Sequence, residues 1–171
     1  MPDPTVLQGN VAVLGDFTAT TMTIPSASIG NAQVKTGDPV SSDKLQHRIT
    51  ARLSQALGAD VVAVTEVVHI GHAAGTLLAV KVVSNTPPTG GDKKVTVDVK
   101  RGSAGGAYSS VLTAPLDIDS AIAARAVTPA TINSAAYSAG DSYQIAISVS
   151  GSTGTQAQDI CVELIFSENP S

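Results

Sequence analysis

The sequence predicts an all-β fold: an antiparallel β-sandwich of jelly-roll size, preceded by an extended N-terminal arm. Three observations predict it. Apolar and polar residues alternate in several runs, most cleanly at Lys94–Lys100, Tyr143–Val149 and Ile160–Phe166, the period expected of strands with one buried face. Turn-forming clusters separate these runs by about 8–12 residues, the spacing of a sandwich. Hydrophobic residues make up 43% but aromatics only 3%, with no Trp, so the core is built from small and β-branched side chains. At 171 residues the chain holds one domain with an appended arm.

The arm is residues 1–47. Gln8-Gly9-Asn10 opens a short alternating stretch, Val11-Ala12-Val13, and Leu14-Gly15-Asp16 reads as a turn. A Thr-rich run, Phe17 to Ile24, ends at Pro25, and Ile29 and Val34 follow among small and polar residues. Thr and Val favour extended backbone, whereas Pro25, Gly30, Gly37 and Pro39 punctuate it. Its apolar positions are too sparse to form a core of their own. The segment orders only against another surface, either its own copies or a partner.

Residues 48–171 form the predicted sandwich. Ser41–His47 has the character of a helical turn with a Ser or Asp cap. Beyond it the periods conflict. Leu45, Ile49, Leu53 and Leu57 fall four apart, as in a helix, while Ile49, Ala51 and Leu53 alternate, as in a strand. Val61–Ile70 and Thr76–Ser84 are strands, and Asn85–Asp92, with two prolines and two glycines, is a turn. Lys94–Lys100 points Val95, Val97 and Val99 to one face. Arg101–Ala107 is a loop, Tyr108–Ile118 a strand interrupted near Pro115, and Ala121–Ala136 holds one short strand. After a turn at Tyr137–Asp141, Tyr143, Ile145, Ile147 and Val149 face inward. Ser150–Thr155 is a loop, and Ile160, Val162, Leu164 and Phe166 share one face. A hairpin is expected to join Tyr143–Val149 to Ile160–Phe166.

Composition excludes several functions. Charged residues are 14% and Lys+Arg 10 stand against Asp+Glu 14, a poor balance for direct binding to nucleic acid. No run reaches the 18 apolar residues of a membrane helix. Met1-Pro2-Asp3-Pro4 has neither the basic nor the apolar region of a signal peptide, so none is expected. The single cysteine, Cys161, sits between Ile160 and Val162 and reads as a small buried thiol on a strand.

Chemical motifs are weak. His69 and His72 form an H-x-x-H pair, but residues three apart on a strand point to opposite faces, so no metal site is expected. Asp117 and Asp119 share a strand face and read as solvated carboxylates. There is no G-x-S-x-G elbow and no phosphate loop. Neither catalytic residues nor a cofactor are expected, and the protein is read as not an enzyme. Tyr108 and Tyr137 lie beside loops, where exposure is open to them, whereas Tyr143 is expected to pack inward. They give thin support to an alternative reading, a head-fibre or tail-associated module binding host glycan through Asn85–Asp92, Arg101–Ala107 and Ser150–Thr155.

The pattern Gly9-Asn10-Val11 through Thr23-Ile24-Pro25, then Ser28-Ile29 to Val34 and Asp43-Lys44-Leu45-Gln46-His47, resembles the arms of tailed-bacteriophage virion proteins. Val68-His69-Ile70 with Ala74-Gly75-Thr76, Gly91–Lys100, and Ala139-Gly140-Asp141 leading into Ile145–Val149 resemble their bodies. The group is that of capsid decoration, cement or head-fibre proteins. The resemblance implies a jelly roll, a homotrimer and attachment to the major capsid protein on the outer surface of the virion. It also favours a strand over 48–57. Val11, Val13, Phe17, Met22, Ile24, Ile29 and Val34 are then the expected capsid and trimer contacts, with Leu45 as the anchor of arm to body. His47 is expected as a polar contact between the two.

Overall fold

The computed structural model describes residues 47–169. Val11, Val13, Phe17, Met22, Ile24, Ile29, Val34 and Leu45 lie outside the described residues. Ten strands follow in order: β1 His47–Ser54, β2 Val64–Ile70, β3 Gly75–Thr86, β4 Lys94–Gly102, β5 Ser109–Ser110, β6 Leu116–Ile118, β7 Thr128–Pro129, β8 Ala136–Tyr137, β9 Ser142–Ser150 and β10 Gln158–Glu168. There is no helix among the described residues.

The strands form two antiparallel sheets. One runs β1-β10-β3-β7, with β8 also on β3; the other runs β2-β9-β4-β5, with β6 also on β4. The pairing is nested: β1 with β10, β2 with β9, β3 with β7 and β8, β4 with β5 and β6. β1 to β4 alternate between the sheets, as do β9 and β10, and the nested pairing is jelly-roll topology.

That nesting corrects one expectation. Tyr143–Val149 and Ile160–Phe166 do not form a hairpin. β9 pairs with β2 and β4, whereas β10 pairs with β1 and β3 in the opposite sheet. The connection between them crosses the sandwich. Gly151 (φ 90°) and Gly154 (φ 95°) turn it in left-handed backbone. Asp92 Oδ1 holds it by accepting from the backbone amides of Ser152 and Thr153, at 2.9 and 2.7 Å.

The core is what the alternation requires. Val95, Val97, Val99, Tyr143, Ile145, Ile147, Ile160, Val162, Leu164 and Phe166 are all buried between the sheets. The first strand settles the conflict of periods. Ala51 and Leu53 face inward, Ile49 is half-buried, and Leu57 stands in solvent beyond the strand. In β3 the register shifts opposite Ile165 and Phe166. This bulge lets Leu77 and Val80, three apart, both point inward while Leu78 turns out. Ala121–Ala136 contributes two short pairings to β3, through β7 and β8, rather than one.

Tyr137 corrects a second expectation. The sequence sets it at the start of a turn where exposure is open to it, yet it is buried, because β8 packs its ring beneath the β2–β3 end of the sandwich. Cys161 is only half-buried. It lies on the outer face of β10, where the Ser54 hydroxyl approaches its sulfur at 3.5 Å.

Candidate functional site

The two lateral sides of the sandwich differ. On the side of β5 and β7 the sheets are stitched by backbone hydrogen bonds. Leu112 bridges Ile132, the Asn133 amide donates to the Val111 carbonyl at 2.8 Å, and the Thr113 amide donates to the Thr131 carbonyl at 2.9 Å. On the other side, β1 and β2 are edge strands. Each pairs with a single neighbour, β10 and β9 respectively, and no described residue bonds their outer edges.

Leu57, Val62, Val67 and Ile70 are exposed on this open side, whereas Leu78, Tyr108 and Val127 are exposed elsewhere. Leu57 is 89% exposed, Val62 61% and Ile70 56%, and Val67 is exposed between them. Val67 and Ile70 lie on the outer face of β2, opposite Gln144 and Ser142 of β9. The loop carrying Leu57 and Val62 is fastened down. Gln55 clamps Val62 in both directions: its Nε2 donates to the Val62 carbonyl and its Oε1 accepts from the Val62 amide, each at 2.8 Å. The Gly58 amide donates to Asp159 Oδ1. Gln158 Nε2 donates to Asp60 at 2.9 Å, and the Val61 amide donates to the Ala157 carbonyl at 2.8 Å. These bonds hold Leu57 and Val62 exposed on a fastened loop.

Charge on the open side is divided between the strands. β1 carries exposed Arg48 and Arg52 and no acidic residue; β2 carries exposed Glu66 and no Lys or Arg. Among the described residues none of these three makes an ion pair. Glu66 lies opposite Ile145, a core residue, so it points to the inner side of an edge strand. The β2 register also shifts between Val67 and His69. An inward charge and a bulge are two of the devices that protect an edge from indiscriminate pairing.

The far end of β2 holds a buried aromatic and carboxylate cluster. His69 stacks on Phe166 with ring centroids 4.1 Å apart, and Tyr143 and Tyr137 meet the same Phe166 edge-on at 4.9 and 5.7 Å. Glu168 Oε1 accepts from the Tyr137 hydroxyl at 3.0 Å and from the His72 amide at 3.2 Å, and lies 3.2 Å from His69 Nε2. The His69 and Glu168 side chains are each 7% exposed. Burial holds the His69 imidazole below its usual pKa, with Glu168 opposing. Burial, reinforced by Glu168, raises the Tyr137 phenol, and burial raises that of Tyr143 to about 12 against the pull of Arg101. The cluster is a structural pin joining β2, β8, β9 and β10. Glu168 was missed in the sequence, although continuing the period of two past Phe166 places it inward.

The remaining candidates separate. His69 is buried and His72 exposed, so they share no ligand geometry. Asp117 is taken by Thr96 Oγ1 at 2.6 Å and Lys94 Nζ at 2.9 Å, which lower its pKa. Asp119 Oδ1 accepts from the Ala121 amide. Among the described residues no group of three His, Cys, Asp or Glu stands close enough to hold a metal. Loops 85–92 and 150–155 meet through Thr89 and Thr155 at the start of β4, but loop 101–107 follows its far end. The three loops do not form one site. Tyr108 is half-exposed, with its hydroxyl 2.7 Å from Ser142 Oγ.

No protein-family model matches the chain, and no curated protein matches it. Among solved structures it is similar to the cyanophage Pam1 capsid asymmetric unit, at 18% identity over 85% of this chain and 99% of that chain, with a TM-score of 0.46.

Proposed function

We propose that this protein is a structural component of a tailed-phage virion: a cement or decoration protein that binds the outer capsid shell as a homotrimer and stabilises the head. The observation that carries the reading is the open β1/β2 side, where apolar residues are held rigidly in water. A fixed apolar display is a docking surface in search of an assembly. Two sequence features support it. The chain resembles phage decoration proteins along most of its length, and the arm, residues 1–47, carries apolar positions too sparse for a core of its own.

The mechanism is mechanical rather than catalytic. Each trimer bridges neighbouring major capsid subunits. Val11, Val13, Phe17, Met22, Ile24, Ile29 and Val34 supply buried contacts across the seam, and Leu45 anchors the arm to the sandwich. Many such contacts per particle resist the outward pressure of packaged DNA. The reading requires neither a cofactor nor direct contact with nucleic acid or membrane.

The test is deletion of residues 1–40, with the full-length chain as control, added to heads that lack the protein. The shortened chain is expected to keep the β-rich circular dichroism of the full-length chain and to lose head binding. A shortened chain that still decorates heads overturns the role given to the arm. A full-length chain that binds no heads overturns the proposal.

A further inference from the structure

The chain has three histidines, and all three gather around one carboxylate. Glu168, at the end of β10, has its side chain 7% exposed. His69 of β2 lies inside the sandwich with Nε2 3.2 Å from Glu168 Oε1. His47 is the direct cross-strand partner of Glu168 on β1, and side chains so paired share one face. His72 donates its backbone amide to Glu168. His47 and His72 are exposed, and together with Arg48 and Glu168 they line a cleft of about 360 Å³. One carboxylate thus meets a buried imidazole on its inner side and two exposed imidazoles around its mouth. The imidazole is the side chain whose charge changes between about pH 5 and 8.

We propose that this cluster is an acid-operated latch: the end of β2, residues 69–72, stays seated while His69 is uncharged and parts from the sandwich when His69 takes a proton. The seat suits a neutral ring. Its walls are Phe166, Tyr137 and Tyr143. The one anion against His69, Glu168, already accepts from the Tyr137 hydroxyl and the His72 amide. The other charged or titratable groups nearby are His72 in the following turn, His47 and Arg48 on β1, and Arg101 and Asp141 behind Tyr143. Burial outweighs the pull of Glu168, and a charged His72 adds repulsion, so a protonated His69 is better placed in water. It reaches water only if the strand end moves. The backbone supplies the hinge: β2 pairs with β9 alone, and its register breaks between Val67 and His69. The end therefore parts at the bulge while Val64–Val67 stays paired, and it uncovers Phe166 and Tyr143. The inference stands apart from the virion reading and does not need it.

The test is amide hydrogen exchange of the full-length chain at descending pH, corrected for the intrinsic effect of pH on exchange. The reporters are the amides of Gly71 and His72, bonded to the Asp141 carbonyl and to Glu168. Below pH 6.5 their protection is expected to fall by up to about tenfold per pH unit, the limit for one linked proton. Protection of Val95–Val99 in β4 is expected to hold over the same range. His69→Phe keeps a ring on Phe166 and takes no proton, so the two reporters are expected to stop responding to pH. His69→Gln, without the ring, is expected to give the same flat response from a lower starting protection. His72→Gln removes the repelling charge and is expected to make the loss shallower. Wild-type reporters that do not respond to pH overturn the latch. A fall shared equally by β4 also overturns it, because acid would then be loosening the whole fold. So does a His69→Phe or His69→Gln chain that keeps the wild-type response.

Discussion

Phe166→Ala tests the pin at the β2 end of the sandwich. Phe166 is fully buried, stacked on His69 at 4.1 Å and met edge-on by Tyr143 at 4.9 Å and Tyr137 at 5.7 Å. Truncating a buried Phe to Ala costs about 3–5 kcal/mol through lost burial and the cavity left behind. Each aromatic pair adds roughly 0.5–1.5 kcal/mol beyond area, and three pairs are lost together, so the cost falls in the upper half of that range. It is about a quarter or more of the roughly 5–15 kcal/mol that holds a domain folded. Urea unfolding of the full-length chain at fixed concentration is the assay, with the midpoint lowered by about 2 M at an unchanged slope. Phe166→Leu keeps most of the apolar volume and loses only the ring geometry, so it costs about 1–2 kcal/mol. An Ala variant within about 1 kcal/mol of wild type refutes the reasoning, because volume loss in a closed core would then carry no cost. Equal losses for Leu and Ala refute the pairing of bulk and ring terms.

The other predictions concern pH and backbone. Burial holds His69 below the ordinary imidazole value of 6.5, so the folded state binds fewer protons than the unfolded. Its contribution is complete above pH 6.5 and declines as pH falls toward the lowered folded value. Thermal stability should therefore drop on acidification through that window, and His69→Gln should flatten the drop; an identical pH profile in the variant contradicts the assignment. Asp92 shifts in the same direction for a different reason: the Thr153 and Ser152 hydrogen bonds hold its carboxyl at about 2, so its contribution is complete above 3.8 and is lost as pH falls from there toward the lowered value. Asp92→Ala should speed amide exchange at Ser152 and Thr153 at neutral pH, and unchanged exchange argues against the clamp. A Cβ on Gly154 would overlap the Gly90 carbonyl oxygen, whereas one on Gly105 meets nothing within 4 Å. Gly105→Ala should cost about 1–2 kcal/mol for left-handed backbone alone, and Gly154→Ala clearly more by the same urea titration. Equal costs count against the close approach of the two loops.

Period-two alternation made the long strands readable, because it reports which side chains are buried. Val95-Val97-Val99, Tyr143-Ile145-Ile147 and Ile160-Val162-Leu164 all lie in the core for that reason. Alternation does not report which strand lies alongside. The short connection from Ser150 to Thr155 looks like a hairpin loop, yet its backbone crosses between sheets, and only the pairing of β9 with β2 and β10 with β1 reveals this. Tyr137 was misjudged for a similar reason. Its neighbours Ser138, Ala139 and Gly140 are turn residues, while its burial comes from the distant Glu168 and Phe166. The open side was not readable at all. Edge status belongs to topology, and Leu57 in sequence is only the last member of a four-apart series. Val62 and Ile70 likewise sit inside an apolar run whose exposure depends on β2 having one neighbour.

The copy number of this chain in purified virions, measured against the major capsid protein by quantitative mass spectrometry, tests the central claim most directly. The account predicts a count approaching that of the capsid subunit, as a cement spread over the whole shell requires. A few copies per particle would point instead to a fibre or tail-associated module, and absence from the particle would contradict the virion reading altogether.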